Sequence, residues 1–353
     1  MAKTELSPQE QIKLDISSAQ TEYRNLIEKV NLSSVRDRYS SLETEINNLP
    51  TRVQKIRDRK YAFNRILEEQ TRSFQRQWAT KRSGILSQIT QESNLLQNQL
   101  RSLDMRVRAL SLGSTSAAVV KTVRNDLSTF NSKVNAVESA VTGMFNDLDN
   151  EVSAVQTLLS RIEKTLDYCD SASFGFLPTE CVVRAVKTIW TRDDKKDKED
   201  PEGILFLTDQ RLIFEQREEV ATKKVLFITT ERKKVQALAF EVPVLSISAV
   251  KTTKQGMFKN EDWLELEFES GAFARSAKLH LDGQNCNEWQ AAINQVKSRE
   301  LDADRAFAVD KALVEKVKSA PVICPSCGAT LSKPVLRGMD TMTCDFCGRV
   351  IKL

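Results

Sequence analysis

Four of the seven cysteines in this 353-residue chain stand in two pairs near its end, Cys324-Pro325-Ser326-Cys327-Gly328 and Cys344-Asp345-Phe346-Cys347-Gly348. Two residues between cysteines is the spacing at which one tight turn aims two thiolates at one metal, and the glycine after each pair accepts the left-handed backbone such a turn needs. Two such turns supply four sulfurs, enough to surround one ion tetrahedrally at Zn–S distances of about 2.3 Å. With every position filled by protein, none is left for a reacting water, so one Zn2+ in a structural role is expected. Iron suits four cysteines as well, and residue types alone do not separate the two metals. A dithiol redox centre would need one Cys-x-x-Cys at the start of a helix in a β-α-β domain, which roughly thirty residues cannot supply.

The rest of the chain offers little for catalysis. It holds a single histidine, His280, inside the strand-like stretch Lys278-Leu279-His280-Leu281 with no nucleophile motif beside it. Triads and histidine bases need an imidazole at a defined place, so the expectation is no enzyme and no small-molecule substrate. Eleven scattered glycines form no phosphate-cradling loop. Cys169, Cys181 and Cys286 read as ordinary small residues of a reducing compartment. No window approaches the roughly 18 consecutive apolar residues of a membrane span, and the first twenty residues lack the apolar stretch of a signal peptide. A cytoplasmic protein is expected, with peripheral attachment to a membrane as the alternative.

These chemical residues must be carried by elements whose patterns change twice. A composition of 41% hydrophobic, 28% charged and 7% aromatic residues is one that long helices share, and a formal charge of +4 is too balanced to demand a polyanionic partner. Up to residue 170 the apolar residues recur at the three-and-four spacing of a heptad. The clearest run is Val123, Leu127, Phe130, Val134, Val137, Val141, Met144, Leu148, resuming after one slip at Val152, Val155, Leu159, Ile162, Leu166. Tyr39, Leu42, Ile46, Leu49, Val53, Ile56 and, more loosely, Leu96, Leu103, Val107, Leu110 keep the same rhythm. Turn signals at Asn47-Asn48-Leu49-Pro50 and Leu112-Gly113-Ser114 divide the region into helices at about 5–48, 51–111 and 116–168. Pro50 either breaks or kinks the first of them. The seams need partner helices, either in a bundle closing on itself or in self-association through the coiled coil.

From about residue 178 the pattern becomes that of strands. Gly203-Ile204-Leu205-Phe206-Leu207-Thr208-Asp209-Gln210-Arg211-Leu212-Ile213-Phe214 reads as a hairpin turning at Thr208 to Gln210. Glu241 to Val250 reads as a further strand, Trp263 to Phe268 alternates as an amphipathic one, and Cys286 to Arg299 makes a closing helix with Trp289, Ile293 and Val296 on one face. Over residues 178–300 these motifs resemble the GRAM and bacterial pleckstrin-homology-like (PH-like) superfamily. The resemblance implies a small bent-sheet barrel capped by a helix, used to bind lipid headgroups, peptides or proteins. The loop that grips phosphoinositides in lipid-binding relatives here runs Arg192 to Glu202 with four basic and six acidic residues, so a phosphate is not expected there. Lys251, Lys254, Met257, Phe258 and Lys259 place an apolar pair among lysines, a composition that suits either contact with an anionic membrane or a partner protein. Residues 301–320 read as a helical connector.

The segment 321–353 resembles the zinc-ribbon family over its full length. Its Lys333, Arg337, Arg349 and Lys352 oppose Asp340, Asp345 and the roughly −2 formal charge of zinc held by four thiolates. With Phe346 as its sole aromatic ring it lacks the basic face and stacking platform that nucleic acid needs, so nucleic acid ranks third among partners. The expected whole is a multidomain α+β protein: a helical coiled coil over 1–170, a PH-like domain over 178–300, a connector and a zinc ribbon. The expected function is a scaffold or adaptor whose modules dock proteins.

Overall fold

A computed structural model of the chain describes residues 7–111, 113, 115–191, 200–225, 228–256, 260–269, 272–331 and 333–353, with the backbone alone over the described part of 220–233. The described residues of Met1–Thr51 together with Glu69–Thr157 form one compact unit, and Arg52–Glu68 with Leu158–Leu353 form a second.

The helical part comprises α1 (Pro8–Lys29), α2 (Ser33–Asp58), α3 (Leu67–Arg108), α4 (Ala117–Gly143) and α5 (Asn146–Asp170). Ser7 starts α1 with a capping box, its hydroxyl accepting from the Glu10 amide while the Glu10 carboxylate accepts from the Ser7 amide. Partners along the first unit advance together, Asp15 with Arg124, Lys29 with Asn131 and Arg38 with Asp149, so α1 and α2 run parallel to α4 and α5. Between them α3 runs the other way, Glu43 meeting Arg82 while the Ser93 hydroxyl donates to the Val30 carbonyl. The result is an up-down-up bundle. Leu42, Ile46, Leu49, Leu96, Leu127 and Val134 are buried within this one chain, so these heptad positions find their partner helices internally.

The break expected around Gly113 lies between α3 and α4, but the other breaks fall elsewhere than expected. The chain turns at Val30 to Leu32 with Leu32 at φ 53°, and again at Gly143 to Phe145, where the Phe145 amide donates to the Thr142 carbonyl. Helix 116–168 is therefore two helices, and Phe145 enters the core in place of Met144, which is 42% exposed. Pro50 stays inside α2. It removes one hydrogen bond, but buried Leu49, Val53 and Ile56 hold the helix on either side. The expected helix 51–111 is interrupted after Asp58 and resumes at Leu67.

That interruption belongs to the second unit and is organised by one buried guanidinium. Arg57 donates to the carbonyls of Tyr61, Phe63 and Asn64 and to the Glu68 carboxylate, which lets Lys60 and Asn64 hold left-handed backbone without glycine. The sheet comprises β1 (Val182–Thr191), β2 (Glu202–Thr208), β3 (Arg211–Val225), β4 (Ile228–Pro243), β5 (Ile247–Gln255), β6 (Glu261–Phe268) and β7 (Ser276–Leu281), in the order β4-β3-β2-β1-β7-β6-β5. Every pairing is antiparallel. The expected barrel is not closed by hydrogen bonds among the described residues, since β4 and β5 are the two edges. The expected strand 241–250 is divided by Pro243 and a 3₁₀ turn at Val244–Ser246 into the end of β4 and the start of β5. Beyond Gly203↔Gln216, β3 and β4 continue as a two-stranded ribbon to Val225↔Ile228.

Gly203 lies where a Cβ would stand 2.0 Å from the Glu215 carbonyl oxygen, so only glycine fits. Helix α6 (Cys286–Lys297) packs Trp289, Ile293 and Val296 into the core, the face expected for it. On the other side of β2, the cluster of Ala185, Ile204, Phe206 and Ile213 is covered by Phe174 and Phe176, which follow α5. This segment is latched by Glu215, which accepts from the Ser173 amide at 2.6 Å and from Arg217. The connector holds a 3₁₀ turn at Glu300–Asp304 and a short helix α7 (Lys311–Lys318), so it is helical only in part.

Candidate metal centre

Two short strands, β8 (Thr341–Thr343) and β9 (Val350–Lys352), and a bridge between Ile323 and Thr330 carry the two cysteine turns. The turns repeat each other twenty residues apart. In the first, the Gly328 amide donates to the Cys324 carbonyl and the Cys324 amide to Ala329; in the second, Gly348 donates to Cys344 and Cys344 to Arg349. Gly328 and Gly348 sit at φ 73° and 71°, the left-handed conformation anticipated from their place after each pair.

This geometry brings Cys324, Cys327, Cys344 and Cys347 together with all four Sγ atoms within 4.8 Å of one another. The Cys324–Cys347 and Cys327–Cys344 sulfurs are 3.7 and 3.8 Å apart. A tetrahedron with metal–sulfur bonds of about 2.3 Å has edges of about 3.8 Å, whereas a disulfide would need about 2.05 Å. The donor set thus fits one tetrahedral ion. Hydrogen bonds from the backbone amides of Ser326 and Cys327 hold the Cys324 thiol down at about 6, whereas Cys327, despite the lowering bond from the Ala329 amide, is pushed up to about 12 by burial and by the neighbouring sulfurs. Cys324 and Cys344 are buried while Cys327 and Cys347 face outward, and among the described residues the other buried side chains of this small core are Met342 and Ile351. Around it Val322, Ile323, Phe346 and Val350 are 70%, 55%, 72% and 60% exposed.

The ribbon meets the sheet through residues that motif reading did not single out as functional. In the Thr208-Asp209-Gln210-Arg211 turn, the Thr208 hydroxyl accepts from the Gln210 and Arg211 amides. Asp209 accepts from the Cys181 amide at 3.0 Å, from Arg305 at 2.7 Å and from Arg337. Gln210 and Arg337 exchange two hydrogen bonds, at 2.5 and 3.1 Å, so the side-chain amide imitates a strand neighbour. A Cβ at Gly338 would stand 2.6 Å from the Pro178 carbonyl oxygen, a close contact between the ribbon and the segment that leads into β1.

Of the other anticipated contact residues only Lys251 and Lys254 are among the described residues. Lys251 on β5 pairs with Glu267 at 2.7 Å and Lys254 with Asp262 at 3.5 Å, while Met257, Phe258 and Lys259 lie outside the described residues, as does Arg192 to Glu199. Burial pushes the Cys169 thiol up to about 12 and raises Cys181 and Cys286, which suits unreactive packing residues.

No known protein family and no curated protein matches this chain. Among solved structures, the Vps36 N-terminal PH domain aligns with 37% of this chain and 89% of its own at 16% identity and a TM-score of 0.25. A DUF1696 family protein with a pleckstrin-homology domain from Shewanella loihica PV-4 aligns over 39% and 92% at 15% identity and a TM-score of 0.23. The DH/PH domains of PDZ-RhoGEF, in complex with activated RhoA, align over 83% and 96% at 9% identity and a TM-score of 0.27. At such scores the description of the fold rests on the strand order and the closing helix themselves.

Proposed function

We propose that this chain is a non-enzymatic scaffold that docks other proteins, built from a coiled-coil arm, a GRAM-type PH-like domain and a zinc ribbon holding one structural Zn2+. The observation that carries this reading is the ribbon surface: four apolar side chains, Val322, Ile323, Phe346 and Val350, are more than half exposed around a small core and so are left for a partner to cover. Support for the PH-like assignment comes from the antiparallel order, with four strands on one side of the β1–β7 pairing and three on the other, and a C-terminal helix in the core. The reading places the protein in the cytoplasm. The internal filling of the heptad seams favours an arm closed on itself, with partners taken elsewhere. Attachment to an anionic membrane through residues 251–259 gains no support from Lys251 and Lys254, each of which already faces a carboxylate.

Two measurements on the full chain test this. Native mass spectrometry with elemental analysis, on protein prepared under reducing, chelator-free conditions, is expected to find one zinc per chain. A photo-crosslinking residue in place of Phe346 is expected to trap a defined protein in cells that the same residue in place of exposed Leu86 does not trap. Absence of metal would remove the ribbon from the proposal, and identical products from both positions would remove the docking surface.

A further inference from the structure

Within the second unit a cavity of about 540 Å³ opens where the β2–β3 turn, the end of α6, the connector and the ribbon meet. That volume is in the range that holds a small molecule. Val244, Leu245 and Val296 wall one side; Val314, Val317 and Leu336 come from the connector and ribbon. Against these apolar walls the charged lining is one-sided: Arg65, Arg299, Arg305, Lys318 and Arg337 face only Asp209 and Asp302.

The two carboxylates do not cancel this excess. Asp209 is already committed to the Cys181 amide, Arg305 and Arg337, and Asp302 stands 3.7 Å from Arg305. Lys318 is held by Glu315 at 2.8 Å. The side chains of Arg65 and Arg299 have no acidic partner among the described residues, although both are exposed and line the cavity. Arg305, whose side chain is only 6% exposed, keeps its Nε buried without an acceptor. An apolar chamber whose polar lining is short of anionic acceptors is complementary to a molecule with the opposite arrangement.

We infer that this cavity binds a small amphiphilic anion, a carboxylate or phosphate headgroup on a short aliphatic body, with Arg65 and Arg299 taking the headgroup and the valine and leucine walls taking the body. The site is distinct from the metal centre and from the exposed apolar ribbon surface, although Leu336 and Arg337 of the ribbon form part of its wall. Its ligand would bridge the sheet domain and the connector, because Val244 and Leu245 belong to one and Val314 and Val317 to the other.

Isothermal titration of the full-length protein at low ionic strength tests the inference with octyl phosphate, octanoate, octanol and inorganic phosphate as probes. Octyl phosphate or octanoate is expected to saturate one site per chain, with octanol and inorganic phosphate at least about tenfold weaker, since each lacks half of the complementarity. The Arg65→Gln, Arg299→Gln double variant is expected to lose at least about tenfold in affinity, and Arg65→Lys with Arg299→Lys to lose less than the glutamine pair, because charge is retained while the planar fork is lost. Both positions are exposed, so an unchanged melting temperature serves as the folding control. No saturable binding of either amphiphile would overturn the proposal. So would equal binding of octanol or of inorganic phosphate, or full affinity in the glutamine variant.

Discussion

The helical bundle buries its apolar residues along five helices, whereas among the described residues the ribbon gathers Cys324, Met342, Cys344 and Ile351, with Leu331, Val335 and Leu353 packed beside them. In the first, stability is spread over many contacts of similar size, and no single side chain decides the fold. The second concentrates it in four sulfurs, because a core of that size cannot offset the conformational entropy of ordering some thirty residues, about 1–2 kcal/mol for each backbone. The two regions should therefore fail differently.

The sharpest break of that comparison is removal of the metal. Chelation of the proposed Zn2+, or Cys344→Ser, is expected to unfold the ribbon, since a structural zinc site contributes on the order of 10 kcal/mol, and to leave the bundle folded. Hydrogen exchange read by mass spectrometry should rise across 322–353 and stay low in α4; protection of the ribbon without metal would refute the difference. Next in size, Phe145→Ala should cost the bundle about 3–5 kcal/mol in urea unfolding, as its ring is buried 6.5 Å from Trp78. Met144→Ala should cost under about 0.5 kcal/mol. Equal effects at the two positions would return Met144 to the seam.

A third expectation concerns acid. Burial pushes the Glu215 carboxyl up, but its bonds to Ser173, Arg217 and Gln236 outweigh this and hold it below its ordinary value of 4.5. A carboxylate so lowered contributes stability that is present above pH 4.5 and lost as pH falls through the lower folded value. The latch formed by 171–177 should loosen in that acid window, and Glu215→Gln should flatten this part of the melting profile at a cost of about 1–3 kcal/mol near neutral pH. An unchanged acid dependence in the variant would remove Glu215 from the latch. Smallest of all, Phe346→Ser should leave thermal stability within about 0.5 kcal/mol, because the ring is 72% exposed. A larger loss would make that ring part of the ribbon core.

The same two regions differ in how far they could be read beforehand. Cysteine turns are local, so a spacing of two residues and a following glycine were enough to anticipate the cluster and both left-handed glycines. Heptads likewise marked which side chains would be buried. What periodicity does not carry is where a helix stops when neither glycine nor proline stops it: at Leu32, Lys60 and Asn64 the backbone is left-handed and side chains take up released carbonyls nearby, Ser93 from 63 residues away in one case and Arg57 from within seven residues in the other. Pro50, which the sequence left open as a break or a kink, is accommodated inside α2 by packing. The Asp209 hub was invisible for a related reason, since its arginines lie 96 and 128 residues away.

The up-down-up order also governs how the chain must be made. Arg38 and Asp149, neighbours across the parallel pair, are separated by 111 residues. At a synthesis rate of about 5–20 residues per second, the first two helices wait roughly 5–20 s for the last two to emerge. Until then their apolar stripe has only α3 to cover it. A nascent chain halted before residue 117 should therefore be a chaperone client, and release from the chaperone should coincide with emergence of α4 and α5 from the ribosome.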